Sequence, residues 1–112
     1  MEHVTYGAGK TIFEQGEAAS HAYLIITRSV EIHREGFSAL VHGGQLFGEA
    51  ALQNRPRMAA AKAKTDCTLL AVSKEELIET IKTEPDEALD IIEAMFTRLA
   101  DVIDQLNDSL NK

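Results

Sequence analysis

Short apolar runs separated by turn-forming residues fill the first two-thirds of the chain, from about residue 3 to residue 72. Residues 23–27 are apolar almost throughout, as expected of a strand buried in a sandwich. Residues 30–33 alternate instead, so Val30 and Ile32 should lie on one face of a strand. Glycine and proline mark the turns between these runs: Gly36, Gly43, Gly44 and Pro56. Strands this short and frequent predict a β-sandwich or barrel rather than a parallel sheet.

From residue 73 onward the spacing of apolar residues is that of helices. Ser73 and Glu76 have the spacing of a capping box, in which each side chain bonds the backbone amide of the other residue. This predicts a short helix over residues 74–82. A second helix is predicted over residues 86–110, because Pro85 is tolerated in a first helical turn. The predicted fold class is therefore mainly β with C-terminal helices, in a single domain of 112 residues.

The second helix carries a heptad seam of apolar residues whose gaps alternate between three and four: Leu89, Ile92, Phe96, Leu99, Ile103, Leu106 and Leu110. One interpretation is an amphipathic helix whose apolar stripe lies on its own domain. The other is a parallel coiled coil with a second copy of the chain. The strictness of the seam beyond residue 99, with acidic and amide side chains on the other faces, favours self-association, so we expect a homodimer through residues 89–110.

The chain has a formal net charge of −7, and its acidic residues are concentrated after residue 75. Nucleic-acid binding depends on clustered Lys and Arg side chains, so we expect no direct binding to nucleic acid. No apolar run approaches the roughly 20 residues needed to cross a bilayer, and the first residues lack the features of a signal peptide. The single cysteine, Cys67, excludes an internal disulfide and is expected to be a buried, inert thiol. These features predict a cytoplasmic protein.

The candidate chemistry is concentrated in the segment Phe47-Gly48-Glu49-Ala50-Ala51-Leu52 and in Arg57. Gly48 lets the backbone approach a ligand closely or adopt a positive φ. Residues 50–52 predict a single helical turn, whose free amides would face an anion placed at its start. Arg57 supplies a planar fork of donors that matches phosphate oxygens. Glu49 cannot favour a phosphate by charge, so we expect it to accept a hydrogen bond from a sugar hydroxyl.

This segment resembles the phosphate-binding cassette of the cyclic nucleotide-binding domains. That family occurs in the bacterial catabolite activator protein, the regulatory subunits of cyclic AMP-dependent protein kinase, and cyclic nucleotide-gated channels. The resemblance covers nearly the whole chain and implies an antiparallel β-sandwich of the jelly-roll type, followed by a short helix and a long amphipathic helix. Residues 10–17 resemble the family's first strand and turn, residues 22–26 and 29–32 its central hairpin, and residues 58–63 and 65–72 its closing strands.

The resemblance implies that the turn and the arginine hold a cyclic phosphate, while the glutamate bonds the ribose 2′-hydroxyl. Carried onto this chain, those roles fall on Gly48, Glu49, Ala50 and Arg57, with Ala59 lining the same strand. The full set of expected ligand-binding residues is Phe47, Gly48, Glu49, Ala50, Ala51, Arg57, Met58 and Ala59.

Three features depart from the family pattern. Met58 stands where the family often has Ser or Thr, so no hydroxyl bonds the ligand there, which favours cyclic AMP over cyclic GMP. The segment between Glu49 and Arg57 is about one residue shorter than usual. Arg28 replaces the usual glycine in a turn, and because a non-glycine residue is strained at positive φ, we expect a different type of turn.

The resemblance implies a non-catalytic regulatory module that needs no metal and no cofactor beyond its ligand, a cyclic purine nucleotide. In the family, the C-terminal helix closes over the base. Here residues 96–103 would face the pocket, and their largely apolar side chains would contact the base by packing. Occupancy of the pocket would then be transmitted to a second copy, or to a fused or partner effector.

Two alternatives remain open. The chain could be a dimerisation or scaffold module that keeps the fold without the ligand, in which case Glu49 and Arg57 would form a plain ion pair. A metal-bearing cupin-like enzyme is the more distant alternative. It would require histidines to converge, and although His33 and His42 could face one another across strands, no close pairing in the sequence indicates a metal site. No nucleophile motif is present, so we expect no enzyme activity.

Overall fold

The computed structural model describes residues 1–110, apart from the side chains of Gln105, Leu106, Ser109 and Leu110. Eight strands occur in this part of the chain: β1 Glu2–Tyr6, β2 Thr11–Phe13, β3 Ala22–Thr27, β4 Ser29–Arg34, β5 Phe37–His42, β6 Leu46–Phe47, β7 Ala60–Ala63 and β8 Cys67–Val72. A five-residue 3-10 helix, Glu49–Gln53, lies between β6 and β7 and is called the cassette turn below. Two α-helices follow the strands: α1 Lys74–Thr83 and α2 Pro85–Leu110.

The strands form two four-stranded antiparallel sheets, in the orders β1-β8-β3-β6 and β2-β7-β4-β5. Val30 and Ile32 are buried as their alternation predicted, and they meet Leu69 from the opposite sheet in one apolar core. Burial of apolar side chains between the two sheets is the main favourable term that holds them together. The predicted β-sandwich followed by helices is confirmed.

β3 and β4, which were predicted as a central hairpin, belong to different sheets. β3 pairs with β8 and β6, whereas β4 pairs with β5 and β7. Only Arg28 separates the two strands, and a one-residue link is shorter than the two-residue loops of ordinary hairpins. Arg28 has a φ of 75°, so the predicted change of turn type was also wrong: the arginine adopts the left-handed conformation itself. The chain thus turns a corner from one sheet to the other at a strained residue.

The start of α1 is fixed by a capping box, as predicted. The amide of Glu76 donates to Ser73 Oγ at 3.1 Å, and the amide of Ser73 donates to Glu76 Oε1 at 3.0 Å. Glu84 alone connects α1 to α2, with φ −141° and ψ 71°. Both helices begin and end within one residue of the predicted bounds.

α2 packs on the sandwich with a stripe other than the heptad seam. Ile91 and Ala94 are buried against Ala22 and Leu46. Most described side chains of the seam are exposed instead, and Phe96 retains 64% of its surface: Leu89, Phe96, Leu99 and Ile103. The helix therefore lies on its own domain, but most of the described seam is not covered by that domain. The side chains of Leu106 and Leu110, which continue the predicted seam, lie outside the described residues.

Cys67 is buried in β8 next to the core, and burial raises the pKa of its thiol. The prediction that Cys67 is buried is confirmed. A thiol with a raised pKa forms less of the reactive thiolate. Within residues 1–110, no helix has the length and apolar character needed to span a membrane.

Candidate functional site

The cassette turn begins at a left-handed glycine. Gly48 has a φ of 74° and precedes a 3-10 helix in which the Ala51 amide donates to the Gly48 carbonyl oxygen at 3.3 Å. The amides of Glu49 and Ala50 precede that bond and have no acceptor within the turn. The turn ends at Asn54, which is also left-handed, with a φ of 55°. The predicted helical turn is therefore present, in its tighter 3-10 form, with two amides at its start.

Gly48 is also the point of closest approach to Arg57. A β-carbon built at Gly48 would lie 2.8 Å from Arg57 Nη1 and 3.3 Å from the Phe13 ring. The first distance is shorter than real β-carbon contacts, and the positive φ adds strain for any L side chain. Glycine is therefore required here both by backbone conformation and by space.

Arg57 is buried, with only 5% of its surface exposed. Its backbone is held by the turn after β2, because its amide donates to Glu17 O and its carbonyl accepts from the Gly16 amide, both at 2.8 Å. Its guanidinium donates through Nη1 to Gly48 O at 2.7 Å and through Nη2 to His21 O at 2.6 Å. These bonds fix the side chain against the start of the cassette turn.

The charge of Arg57 has no carboxylate partner in the described part of the chain. Its guanidinium carbon lies 3.9 Å from the centroid of the Phe13 ring, a cation–π contact, and its buried Nε has no hydrogen-bond partner. Burial lowers the pKa of Arg57, and this outweighs the opposing influence of Tyr23, Glu17 and Glu49. Buried charges are usually paired, so this guanidinium retains donor capacity for an anion.

Glu49 pairs with Arg98 of α2 rather than with Arg57. Arg98 Nη1 donates to Glu49 Oε2 at 2.8 Å and lies 3.4 Å from Leu46 O. The plain Glu49–Arg57 ion pair considered from the sequence is therefore wrong. This contact joins the first residue of the cassette turn to the middle of α2.

These residues line a cavity of about 200 Å³ beside the cassette turn. Its walls are Phe13, Ile32, Gly48, Glu49, Ala50, Gln53, Arg57, Met58, Ala59 and Arg98. A second cavity of about 500 Å³ lies next to it, between the turn and α2, and is lined mainly by apolar side chains: Leu46, Met95, Leu99 and Val102. Both cavities share Glu49, Gln53 and Arg98, so the ion pair stands at the boundary between them.

A family model described as "Cyclic nucleotide-binding domain" matches residues 3–84, which is most of the chain. The chain belongs to the cyclic nucleotide-binding domain family.

Relatives of this cyclic nucleotide-binding domain include much longer proteins. The cyclic AMP receptor protein of Thermus thermophilus is 34% identical over 101 residues, covering 84% of this chain and 47% of the receptor. The patatin-like phospholipase domain-containing protein 7 of Rattus norvegicus is 22% identical over 112 residues, covering 93% of this chain. The chain spans about half the length of the receptor and 8% of the phospholipase. Among solved structures, the Thermus thermophilus catabolite activator protein matches with a TM-score of 0.71 and 32% identity, covering 98% of this chain and 55% of that one.

The cyclic nucleotide-binding domain brings six of the eight predicted site residues together around the smaller cavity: Gly48, Glu49, Ala50, Arg57, Met58 and Ala59. Phe47 and Ala51 do not line it. Phe47 is fully buried and stacks on Tyr23 with ring centroids 5.4 Å apart, so it supports the turn from the core. Met58 is more than half exposed and stands at the mouth of the cavity.

Four residues that line the smaller cavity were not predicted as site residues from the sequence: Phe13, Ile32, Gln53 and Arg98. The helix was expected to face the pocket through residues 96–103. Arg98, Leu99 and Val102 in that range line the cavities, whereas Phe96 and Ile103 are exposed. Apolar packing was expected here, and Arg98 was not singled out. A signal was present in the spacing. Ile91, Met95, Arg98 and Val102 are separated by four, three and four residues, so Arg98 interrupts the apolar stripe that faces the domain.

The alternative of a metal enzyme would require histidines to converge, and the strand register does not bring His33 and His42 together. His33 lies opposite Ser38 and Ala60, and His42 lies opposite Ser29, so these two histidines do not face one another. No group of three or more His, Cys, Asp or Glu side chains suited to a metal ion occurs among the described residues.

Proposed function

We propose that this domain is a non-catalytic regulatory module that binds a cyclic purine nucleotide, cyclic AMP in preference to cyclic GMP. One observation carries the proposal: Arg57 is a buried guanidinium without a carboxylate partner among the described residues, and it lines a cavity beside two amides at the start of the cassette turn. A cyclic phosphate carries a single negative charge, which would pair with the positive charge of Arg57. An arginine fork and helix-start amides are the groups that proteins use to bind phosphate.

The shape of the site supports a nucleotide rather than a bare anion. The cavity beside Arg57 holds about 200 Å³, which is below the roughly 300 Å³ at which ligand pockets usually begin. The neighbouring cavity adds about 500 Å³ of mainly apolar space under α2. In the proposed complex, the phosphate and ribose occupy the first cavity, and Glu49 accepts a hydrogen bond from the ribose 2′-hydroxyl. The base extends into the second cavity, toward Met95, Leu99 and Val102.

The preference for cyclic AMP rests on the mouth of the cavity. Met58 offers a thioether where a hydroxyl would donate to the ligand, and a thioether sulfur is only a weak acceptor. A guanine has more polar edge groups to satisfy than an adenine, so the apolar lining of the second cavity, into which the base extends, penalises it more. The Thermus thermophilus relative at 34% identity is named a cyclic AMP receptor protein, which agrees with this choice.

Transmission would run through α2. This helix contacts β6 through Ile91, and it reaches the cassette turn through Arg98. A ligand shifts the helix only if it binds one arrangement more tightly than another, and a helix that forms part of the cavity wall meets that condition. The exposed seam of α2 is the surface through which we expect a homodimer to form, and a fused or partner effector would respond there.

The second candidate is a scaffold module that has lost its ligand. It is favoured by the two carbonyl oxygens, of Gly48 and His21, that already accept hydrogen bonds from Arg57 in the free protein. In that case the guanidinium would be a structural brace. The two functions differ in one measurable property, which is saturable binding of a cyclic nucleotide.

Isothermal titration calorimetry with cyclic AMP, cyclic GMP and linear AMP distinguishes the nucleotide-binding module from the scaffold module. We expect saturable binding of cyclic AMP, and at least tenfold weaker binding in Arg57→Met, because charge-assisted bonds to phosphate contribute about 1.5–3 kcal/mol. Arg57→Lys keeps the charge but loses the fork, and we expect an intermediate affinity. Arg55→Met is the matched control, since Arg55 is exposed and lies outside the cavity wall.

Circular dichroism of each variant establishes that it is folded before affinities are compared. Absence of heat with every cyclic nucleotide at millimolar concentration would refute the sensor and support the scaffold. Equal cyclic AMP affinity in the wild type and a folded Arg57→Met variant would remove Arg57 from the site.

A further inference from the structure

Gln53, the last residue of the cassette turn, lines both cavities of the site. It shares this position with Glu49 and Arg98, but those two side chains are bonded to each other at 2.8 Å. The side-chain amide of Gln53 has no hydrogen-bond partner among the described residues. It is therefore a polar group on the wall of both cavities whose donors and acceptor remain available to a ligand.

The backbone around Gln53 is held in place. The next residue, Asn54, is left-handed, and the amides of Asn54 and Arg55 both donate to the carbonyl oxygen of Ala50. These bonds close the cassette turn directly behind Gln53. Because the backbone is already ordered, only the side-chain rotamer of Gln53 has to be fixed when a ligand binds, which lowers the entropic cost of using it.

The chemistry of the second cavity gives this amide a specific use. Among the described residues that line the cavity, Gln53 is the one uncharged polar side chain, and the rest of the lining is apolar apart from the Glu49–Arg98 pair. A primary amide carries an acceptor oxygen and a donor nitrogen side by side. Adenine presents the complementary edge, an exocyclic amine next to the ring nitrogen N7, which glutamine also recognises in DNA. The same edge of guanine carries two acceptors, so the amide oxygen finds no donor there.

We propose that Gln53 is a specificity-determining residue that recognises the adenine edge: its oxygen accepts from the exocyclic amine, and its nitrogen donates to the adjacent ring nitrogen. This inference rests on the proposed function and deepens it. The apolar lining of the second cavity disfavours a polar base but does not by itself select adenine. Specificity combines such a repulsive element with an attractive one, and Gln53 supplies the attractive contact.

Calorimetry on the full chain tests the proposal with cyclic AMP and the 3′,5′-cyclic phosphate of purine riboside, which lacks only the exocyclic amine. We expect the wild type to prefer cyclic AMP by about threefold to tenfold, the usual size of one neutral hydrogen bond. In Gln53→Met, which keeps the length of the side chain without its amide, the preference should fall to about one. Gln53→Glu keeps an oxygen that accepts from the amine, so the preference should persist although the added negative charge weakens both ligands.

Gln15→Met is the matched control, because Gln15 is exposed and lies outside the walls of both cavities, and it should leave the preference unchanged. Circular dichroism establishes that each variant is folded. Equal weakening of both ligands in Gln53→Met, or an unchanged preference, would overturn the proposal. A wild type that binds both ligands equally well would overturn it too and leave the proposed function standing. If the wild type bound neither ligand, the proposed function itself would fail, and this inference with it.

Discussion

Arg57 Nη1 donates a hydrogen bond of 2.7 Å to the carbonyl oxygen of Gly48, and it occupies the space that a side chain at Gly48 would need. The two residues are nine positions apart in sequence, yet each constrains the conformation and residue type of the other. The glycine adopts a positive φ and leaves room for the guanidinium, and the guanidinium fixes the start of the cassette turn.

Gly48→Ala should destabilise the fold and displace Arg57. A left-handed alanine costs about 1–2 kcal/mol, and the contact at 2.8 Å adds to this, so we expect the free energy of unfolding to fall by about 1–3 kcal/mol. Urea denaturation measures the change. The control is Gly43→Ala, whose β-carbon would be in ordinary contact at 3.5 Å and whose φ is not positive. Equal effects at the two glycines would contradict the explanation.

Arg28→Gly should stabilise the protein. Relief of left-handed strain should raise the free energy of unfolding by about 1–2 kcal/mol. The greater freedom of glycine in the unfolded chain should lower it by about 0.5–1 kcal/mol, so the net effect is stabilising. Thermal and urea denaturation measure it. Arg34→Gly provides a control of opposite sign, because Arg34 lies in β4 without a positive φ and should lose stability. A loss in Arg28→Gly would mean that the side chain stabilises the corner by contacts.

Glu76 should make stability depend on pH in the acid range. The Met1 amino group, followed by the backbone and hydroxyl of Ser73, lowers the pKa of Glu76 to about 2. Because the folded pKa is lower than the unfolded pKa, the contribution is present above about pH 4.5 and is lost as the pH falls toward 2. The difference in unfolding free energy between wild type and Glu76→Gln should shrink over that window.

Urea denaturation at a series of pH values checks this expectation. Glu79→Gln, on the same helix and away from the amino terminus, controls for the loss of a negative charge on α1. A difference between wild type and Glu76→Gln that stays constant from pH 5 to pH 2 would contradict the role given to the ion pair.

Phe96→Glu should convert a dimer into a monomer while preserving the fold. Phe96 is 64% exposed at the centre of the seam and is not part of the buried core, so its replacement should leave the core intact. Sedimentation velocity of the wild type at tens of micromolar should show a dimer, and the variant a monomer. Thr97→Glu adds the same charge one residue off the seam and should remain dimeric. A monomeric wild type would exclude the predicted homodimer.

Much of the fold could be predicted from local patterns, because strand and helix periods, the capping box of Ser73 and the glycines all act over a few residues. The pairing of β3 and β4 could not. Residues 22–26 and 29–32 leave two residues between them, which fits a hairpin, but the observed strands leave only Arg28. The choice between pairing and crossing is made by β8, which pairs with β3, and by β7, which pairs with β4; both are distant in sequence.

The site shows the same division. Gly48, Glu49 and Arg57 lie within ten residues of one another, so their spacing predicted their proximity. Phe47 was expected among the ligand-binding residues but lies in the core, because adjacency in a motif does not specify which face of β6 a side chain occupies. Arg98 lies 49 positions from Glu49, and their contact exists only because α2 packs on the sandwich.

Glu84, the one residue between α1 and α2, restricts the orientations that α2 can adopt relative to α1. A residue before proline avoids the helical conformation, so the two helices cannot fuse into one rod, and Pro85 has a restricted φ of its own. Any rotation of α2 relative to α1 would therefore concentrate at Glu84. A tilt of a few degrees there becomes a displacement of several ångströms at the far end of a helix of 26 residues, about 39 Å long at the usual rise.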